Sequence, residues 1–401
     1  MNLHRLLAIC VATFAISASP PVFAEAKAPA PASSAQQAAP QVSKEKKPAD
    51  VRYVVMLGSH DFDGLDVAEK TILDNYRHGR IDTDEFSKQI TGLVSPPSSS
   101  YLPDARKWVE ARPRSYAARL GLGILYLRAA WEARGTKWAR ETAREQFEQM
   151  GVMGQQALDS LRASLPLFEK PYPSYTAMIE VATLLSQREE QRGALNEAVK
   201  IDPSATSAYV EYIRLNTPRW GGSYKALESL FAEIKRGPMP ALNQAYLDAI
   251  LLSWKANDER SLNNNPAGAV PLYIEAYERF PYHRLVNLLY SAASAAKAAN
   301  QQKTAIDIYT RIIAAYPDEA VAYSKRGDLY NTAESYDLAL KDFIVASRLG
   351  DTFAQNAAGY YYMTGRGGSK DLKLAKTYFS QAAAKGDKHA EEKLKLLEGM
   401  K

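Results

Sequence analysis

In the second half of the chain, small and aromatic residues recur with one fixed rhythm. A small residue is followed by an aromatic at +4, a small or apolar residue at +7 and a breaker at +12. Four quartets follow it: Ala269-Tyr273-Ala276-Pro281, Ala305-Tyr309-Ile312-Pro317, Ala339-Phe343-Ala346-Asp351 and Ala375-Phe379-Ala382-Asp387. Offsets of 0, 4 and 7 place three residues on one helical face. Alanine lets a neighbouring helix come close, the aromatic fills the gap, and proline or aspartate marks the exit. The quartets start about 34 to 36 residues apart, the period of stacked helix-turn-helix units. Upstream, Leu289-Ala293-Ala296 and Tyr323-Gly327-Tyr330 again frame a small residue at helical spacing, as the first helix of each pair requires.

The preceding stretch is also helical in period. Phe62, Leu65, Ile72, Leu73 and Tyr76 share a stripe; Phe86, Ile90 and Leu93 follow Asp82, a predicted N-cap. Ser223 is placed to cap a helix bearing Leu227, Leu230, Phe231 and Ile234. Leu195, Ala198 and Pro203 echo the repeat, with Gln191 where alanine is expected. No strand-like alternation runs far. The pattern therefore predicts an all-α protein, an α-solenoid of helical hairpins, with a first helical half that can be read as continuous with it. Asn263-Asn264-Asn265-Pro266 marks the expected seam.

Two resemblances follow from these residues. With Ala339, Phe343 and Ala346, the pattern around Tyr323, Gly327 and Tyr330 resembles the tetratricopeptide repeat. The last unit, Ala354-x3-Ala358-Gly359-x2-Tyr362-x2-Gly365-x-Gly367 and then Asp371-x3-Ala375-x2-Tyr378-Phe379-x2-Ala382-Ala383-x2-Gly386-x3-Ala390, resembles a Sel1-like repeat. Its long glycine-containing turn is supplied by Gly365 to Asp371, although Gly368 stands where that family usually carries valine. The likeness covers roughly residues 266 to 400 and implies a peptide- or protein-binding role. Pro113-x-Ser115-x2-Ala118, Ala130-Trp131-x-Ala133-Arg134-Gly135 and Pro218-Arg219-Trp220-Gly221-Gly222-Ser223 resemble an uncharacterised bacterial helical domain family that often precedes such repeats. That likeness covers roughly residues 51 to 236 and implies architecture but no chemistry.

The N-terminus changes the picture. Arg5, the apolar run Leu6–Ala18 and Val22-Phe23-Ala24 read as a cleaved export signal over residues 1–24. Cys10, the only cysteine, lies inside it, so the mature chain has no thiol and is safe in an oxidising compartment. Isoleucine at position 9 and the apolar run beyond Cys10 argue against a lipoprotein. The expected location is the periplasm, with secretion as the second choice. Residues 25–50 are rich in alanine and proline without aromatics, a predicted linker. The domain expectation is then 1–24 signal, 25–50 linker, 51–260 helical domain and 261–401 repeat array.

Charge and motifs narrow the function. Without the signal the chain carries 49 basic and 45 acidic residues, a net +4, which is no nucleic-acid footprint. No apolar run is long enough to span a bilayer, which takes about 20 residues. Histidines at 60, 78, 283 and 389 have no metal-ligand spacing, and no phosphate-cradling loop or nucleophile elbow occurs. No cofactor and no catalysis are expected. His60, Asp61 and Asp63 are the nearest thing to an acid-base or metal cluster, against the plainer reading of a solvated turn.

Binding is expected on the first helix of each pair, whose exposed stripes are Asn287, Tyr290, Ser294 and Lys297; Val321, Ser324, Asp328 and Asn331; and Phe353, Asn356, Tyr360 and Met363. Asparagine can pair with both backbone groups of an extended chain, and tyrosine adds apolar area with a hydroxyl. The plainer reading is a solvated helix face. A second candidate is a small-molecule or cell-wall-fragment pocket around Trp131, Arg134, Trp138, Arg219 and Trp220, where indoles and guanidinium could stack or bind carboxylate. There the plainer reading is a pair of tryptophans anchoring core and loop. The partner is a protein or peptide of unspecified identity, and oligomeric state is unspecified.

Overall fold

The computed structural model describes residues 48–135, 141–280, 282 and 285–399. The signal, nearly all of the linker, Trp138, Pro281 and His283 lie outside them. Among the described residues there is no strand. The chain divides into two compact units, the first ending at Gln244 and the second beginning at Ala245.

The first unit holds α1 (Pro48–Gly58), α2 (Phe62–Arg77), α3 (Thr83–Val94), α4 (Leu102–Ala111), α5 (Tyr116–Arg134), α6 (Arg144–Ser164), α7 (Tyr172–Leu184), α8 (Arg188–Ile201), α9 (Ser207–Leu215) and α10 (Tyr224–Arg236). The expected caps form: Asp82 accepts from the Glu85 amide at 2.7 Å, and Ser223 from the Ala226 amide at 3.2 Å. Leu227, Leu230, Phe231 and Ile234 are all buried. Gln191 is buried where the repeat calls for alanine, and its amide donates to Thr183 Oγ1 at 2.6 Å. The longer side chain thus bonds across to α7 where alanine would only pack.

At the centre of this unit Tyr76 stacks on Phe86 at 4.3 Å between ring centroids, with Phe168 tilted against both and against Tyr116. Two helices are capped from a distance. Glu69 of α2 accepts from Ser115 Oγ at 2.6 Å and the Ala117 amide at 3.0 Å at the start of α5. Asp84 of α3 accepts from the Thr206 amide, Thr206 Oγ1 and the Ser207 amide at 2.8 to 2.9 Å at the start of α9. These buried carboxylates satisfy amides that a helix start leaves without partners.

The second unit begins within α11 (Ala241–Ser261) and continues through α12 (Pro266–Arg279), α13 (Val286–Ala298), α14 (Gln302–Ala315), α15 (Ala320–Thr332), α16 (Tyr336–Arg348), α17 (Thr352–Thr364), α18 (Leu372–Ala383) and α19 (Lys388–Gly399). The quartets fall on α12, α14, α16 and α18, and their first three members are all buried. The packing rule read from the sequence holds in detail. A Cβ on Gly327 of α15 would stand 2.9 Å from the Phe343 ring of α16, and one on Gly359 of α17 would stand 2.8 Å from Phe379 of α18. Each aromatic therefore occupies the space its partner helix leaves by having no side chain. Leu394 and Leu397 of α19 pack against Ala375, Phe379, Ala382 and Ala390, while Lys388, Glu391, Glu392, Lys395 and Glu398 of the same helix are exposed.

Between α17 and α18, Gly365 takes φ 76° and its amide and that of Arg366 bond to Tyr361 O at 2.9 and 3.0 Å. Asp371 then caps α18 through the Leu374 amide at 2.9 Å. The Sel1-like turn is thus built from residues 365–371. Asn263 to Asn265 form the turn between α11 and α12, where Asn265 caps α12.

Candidate functional site

On the first helices of the array, the stripe divides into residues facing solvent and residues spent on bracing. Ser324 is 4 % exposed and donates to Asp351 Oδ1 at 3.1 Å. Asn356, one repeat on, donates to Asp387 at 3.2 Å. Asp351 and Asp387 each also accept the amide of the third residue beyond, Ala354 and Ala390. One helix therefore clasps the start of the next first helix in two successive repeats.

Other stripe members do similar work. Lys297 pairs with Asp328 at 3.2 Å, Asn331 Oδ1 accepts from the Tyr361 hydroxyl at 2.7 Å, and Arg260 donates to Ser294 Oγ at 3.2 Å. Tyr290 has its ring against Tyr309, and burial beside the Glu319 carboxylate pushes its phenol up. The exposed members are Asn287, Ser294, Lys297, Val321, Phe353 and Tyr360, the last two 56 % and 41 % exposed. No charged residue occurs anywhere in α17. The polar stripe expected to read a peptide backbone is thus largely a set of inter-repeat ties, and its exposed part on α17 is aromatic.

In the first unit, the structure brings Trp131 and Trp220 together edge-to-face at 5.5 Å between ring centroids. Arg134 lies 5.8 Å from the centroid of Trp131, and Arg214 lies 5.7 Å from that of Trp220. Trp131 and Arg134 close α5, which ends where Gly135 takes φ 74°; Trp138 lies outside the described residues. Arg219 is exposed in the 3₁₀ turn Pro218–Trp220. One indole meets the face of the other with its edge, and a guanidinium lies over each ring.

Two carboxylates that no sequence motif marks, Glu180 and Glu211, complete this cluster. Trp131 Nε1 donates to Glu180 Oε1 at 2.8 Å; Arg214 lies 3.7 Å from Glu180 and donates to Glu211. Glu180 is 16 % exposed. Burial first, and then repulsion from Glu211, push its carboxyl up to about 7, against the opposing pull of Arg214 and the indole N–H. The available signal was a lone glutamate within Met178-Ile179-Glu180-Val181-Ala182.

A carboxyl raised by folding contributes stability that is complete below its unfolded value near 4.5 and lost as pH climbs through about 7. Glu180→Gln is therefore expected to remove a loss of about 3 kcal/mol between pH 4.5 and 8. Urea unfolding across that range checks it; an unchanged pH slope in the variant refutes the assignment.

His60, Asp61 and Asp63 do not converge. His60 Nε2 meets Asp104 at 2.7 Å, Asp61 caps α2 through the Gly64 amide at 3.0 Å, and Asp63 pairs with Arg112. No group of three metal-ligating side chains occurs among the described residues.

Residues 49–187 match the model of a domain of unknown function, DUF4034. No curated relative matches in sequence. Among solved structures, the chain is similar to a Sel1 repeat protein from Oxalobacter formigenes at 15 % identity and TM-score 0.29, over 89 % of this chain and 95 % of that one. It is similar to the APC/C hetero-tetramer Cut9–Hcn1 at 15 % identity and TM-score 0.31, over 88 % and 63 %. A human IFIT1 dimer with PPP-AAAA follows at 14 % identity and TM-score 0.32, over 84 % and 85 %. Superposition at these scores is loose, so the repeat architecture rests on the helix pairs described above.

Proposed function

We propose that this chain is an exported, non-catalytic scaffold that holds a protein or peptide partner on the face of its first helices. The observation carrying this reading is the stripe on α15 and α17. Phe353 and Tyr360 stay exposed on an uncharged helix, while Ser324 and Asn356 tie successive helices in place. Exposed aromatics on a braced backbone lose little freedom on binding, which is the property of interface anchors. Asn287 and Val321 extend the stripe to earlier repeats. The partner is then an extended segment with apolar side chains rather than one read mainly through its backbone.

Export and the periplasm rest on the signal-like N-terminus. No helix among the described residues is long and apolar enough to cross a membrane. A small-ligand site at Trp131, Arg134, Arg219 and Trp220 has less support, because the two indoles already pack on each other and each carries a guanidinium of this chain.

Affinity capture from a periplasmic extract, followed by titration of the identified partner, tests the scaffold reading. Replacing Asn287, Phe353 and Tyr360 by alanine is expected to weaken binding about tenfold or more without changing the melting temperature. A partner held equally by both proteins moves the binding surface elsewhere.

A further inference from the structure

The cluster between α5, α7 and α9 sets two carboxyls against one shared cation. Arg214 donates to both oxygens of Glu211, through Nε at 3.1 Å and through Nη2, but only approaches Glu180, at 3.7 Å. The hydrogen bond that Glu180 accepts is from a neutral group, the Trp131 indole N–H at 2.8 Å. All three ionisable side chains are 16 to 21 % exposed, so water screens them weakly. A carboxyl placed beside a like charge whose guanidinium is already engaged retains its proton. Glu211 stands close enough to accept it in a hydrogen bond.

Charged groups on the helices packed around α7 are engaged elsewhere. Arg134 of α5 lies over Trp131 and donates to Gly135 O. Arg162 of α6 pairs with Glu190 of α8, and Arg192 of α8 with Glu233. Asp84 of α3 is bound to Thr206 and Ser207. If Glu180 ionises, Arg214 is therefore the cation that must answer. Arg214 is also tied to the turn Pro218–Trp220: it lies 5.7 Å from the Trp220 ring centroid, and its carbonyl accepts from Thr217 Oγ1 at 3.0 Å. Trp220 in turn rests edge-to-face on Trp131.

We propose that Glu180 and Glu211 form a proton switch for the turn Pro218–Trp220. One proton shared by the two carboxyls leaves Arg214 on Glu211 and Trp220, and the turn stays closed on α5. Loss of that proton draws Arg214 toward Glu180 and off the Trp220 ring, and the turn opens. The carboxyl is raised to about 7, so the closed form belongs to the acid side and the open form to the alkaline side. The switch lies within the first unit and stands or falls apart from the scaffold reading.

Tryptophan emission of the full chain, followed from about pH 5 to about pH 9, tests it. A red shift with its midpoint near 7 is expected. The amides of Trp220 and Gly222, bonded to Thr217 O at 3.0 and 3.1 Å, should exchange about tenfold faster on the alkaline side after correction for base catalysis. Glu180→Gln keeps the acceptor for Trp131 and gives Glu211 a permanent donor, so its emission should stay flat. Glu211→Gln removes the like charge and frees Arg214 for Glu180, so its midpoint should fall by about one pH unit or more. A flat wild-type emission, a wild-type transition retained in Glu180→Gln, or an unmoved midpoint in Glu211→Gln overturns the proposal.

Discussion

Asp84→Ala is expected to lower the unfolding free energy by about 3 kcal/mol, the cost of leaving buried donors without acceptors. The carboxylate reaches from α3 to the start of α9 and accepts three hydrogen bonds there, from Thr206 N, Thr206 Oγ1 and Ser207 N. Thr206, the residue at the N-cap position, makes no side-chain cap bond of its own. Both ends are buried, at 7 % exposure for Asp84 and 3 % for Thr206, so water cannot replace the lost acceptor without opening the packing. Asp84→Asn keeps one acceptor oxygen and should cost about half as much. Urea denaturation gives the magnitude, and amide exchange at Thr206 and Ser207 gives the location. Unchanged protection at those amides in the alanine variant would show that the cap is dispensable.

Gly367→Ala is expected to cost about 3 kcal/mol, through positive-φ strain and a backbone clash together. Gly367 has φ 74°, and a Cβ there would stand 2.2 Å from Tyr336 O and 2.6 Å from Tyr336 C. The clashing atoms belong to the first residue of α16, so relief requires a backbone shift rather than a rotamer change. The neighbouring position provides the control. A Cβ on Gly368 meets only Leu340 Cδ2 at 3.5 Å, an ordinary contact. Gly368→Val should therefore be near neutral, which accounts for the valine that Sel1-like repeats usually carry there. Thermal melts of the two variants decide the matter, and equal melting temperatures would refute the account.

Much of this architecture was legible from residue spacing. The alanine–aromatic quartets named the buried faces of α12, α14, α16 and α18, because 0, 4 and 7 fall on one side of a helix whatever lies around it. Asp82 and Ser223 announced their caps because an N-cap bond is closed within three residues. The Gly365–Asp371 turn was visible for the same reason: its bonds are local.

The candidate sites were less legible. Spacing identified which polar residues share the first-helix stripe, but Ser324 and Asn356 turn inward to aspartates 27 and 31 residues on. Trp131 and Trp220 drew attention as rare residues, while Glu180 and Arg214, which complete their cluster, lie on α7 and α9 and carry no local mark.

The sequence by itself determined the helices, their pairing period, the small-against-aromatic packing and the turns, since each depends on contacts within a few residues or on a repeated spacing. Only the tertiary structure decided which polar groups are spent on the fold and which are left to bind. That choice depends on partners tens of residues away, such as Asp84 with Thr206 or Asn331 with Tyr361. A side chain's chemistry sets what bonds it can make; its position beside distant helices sets whether they are already made.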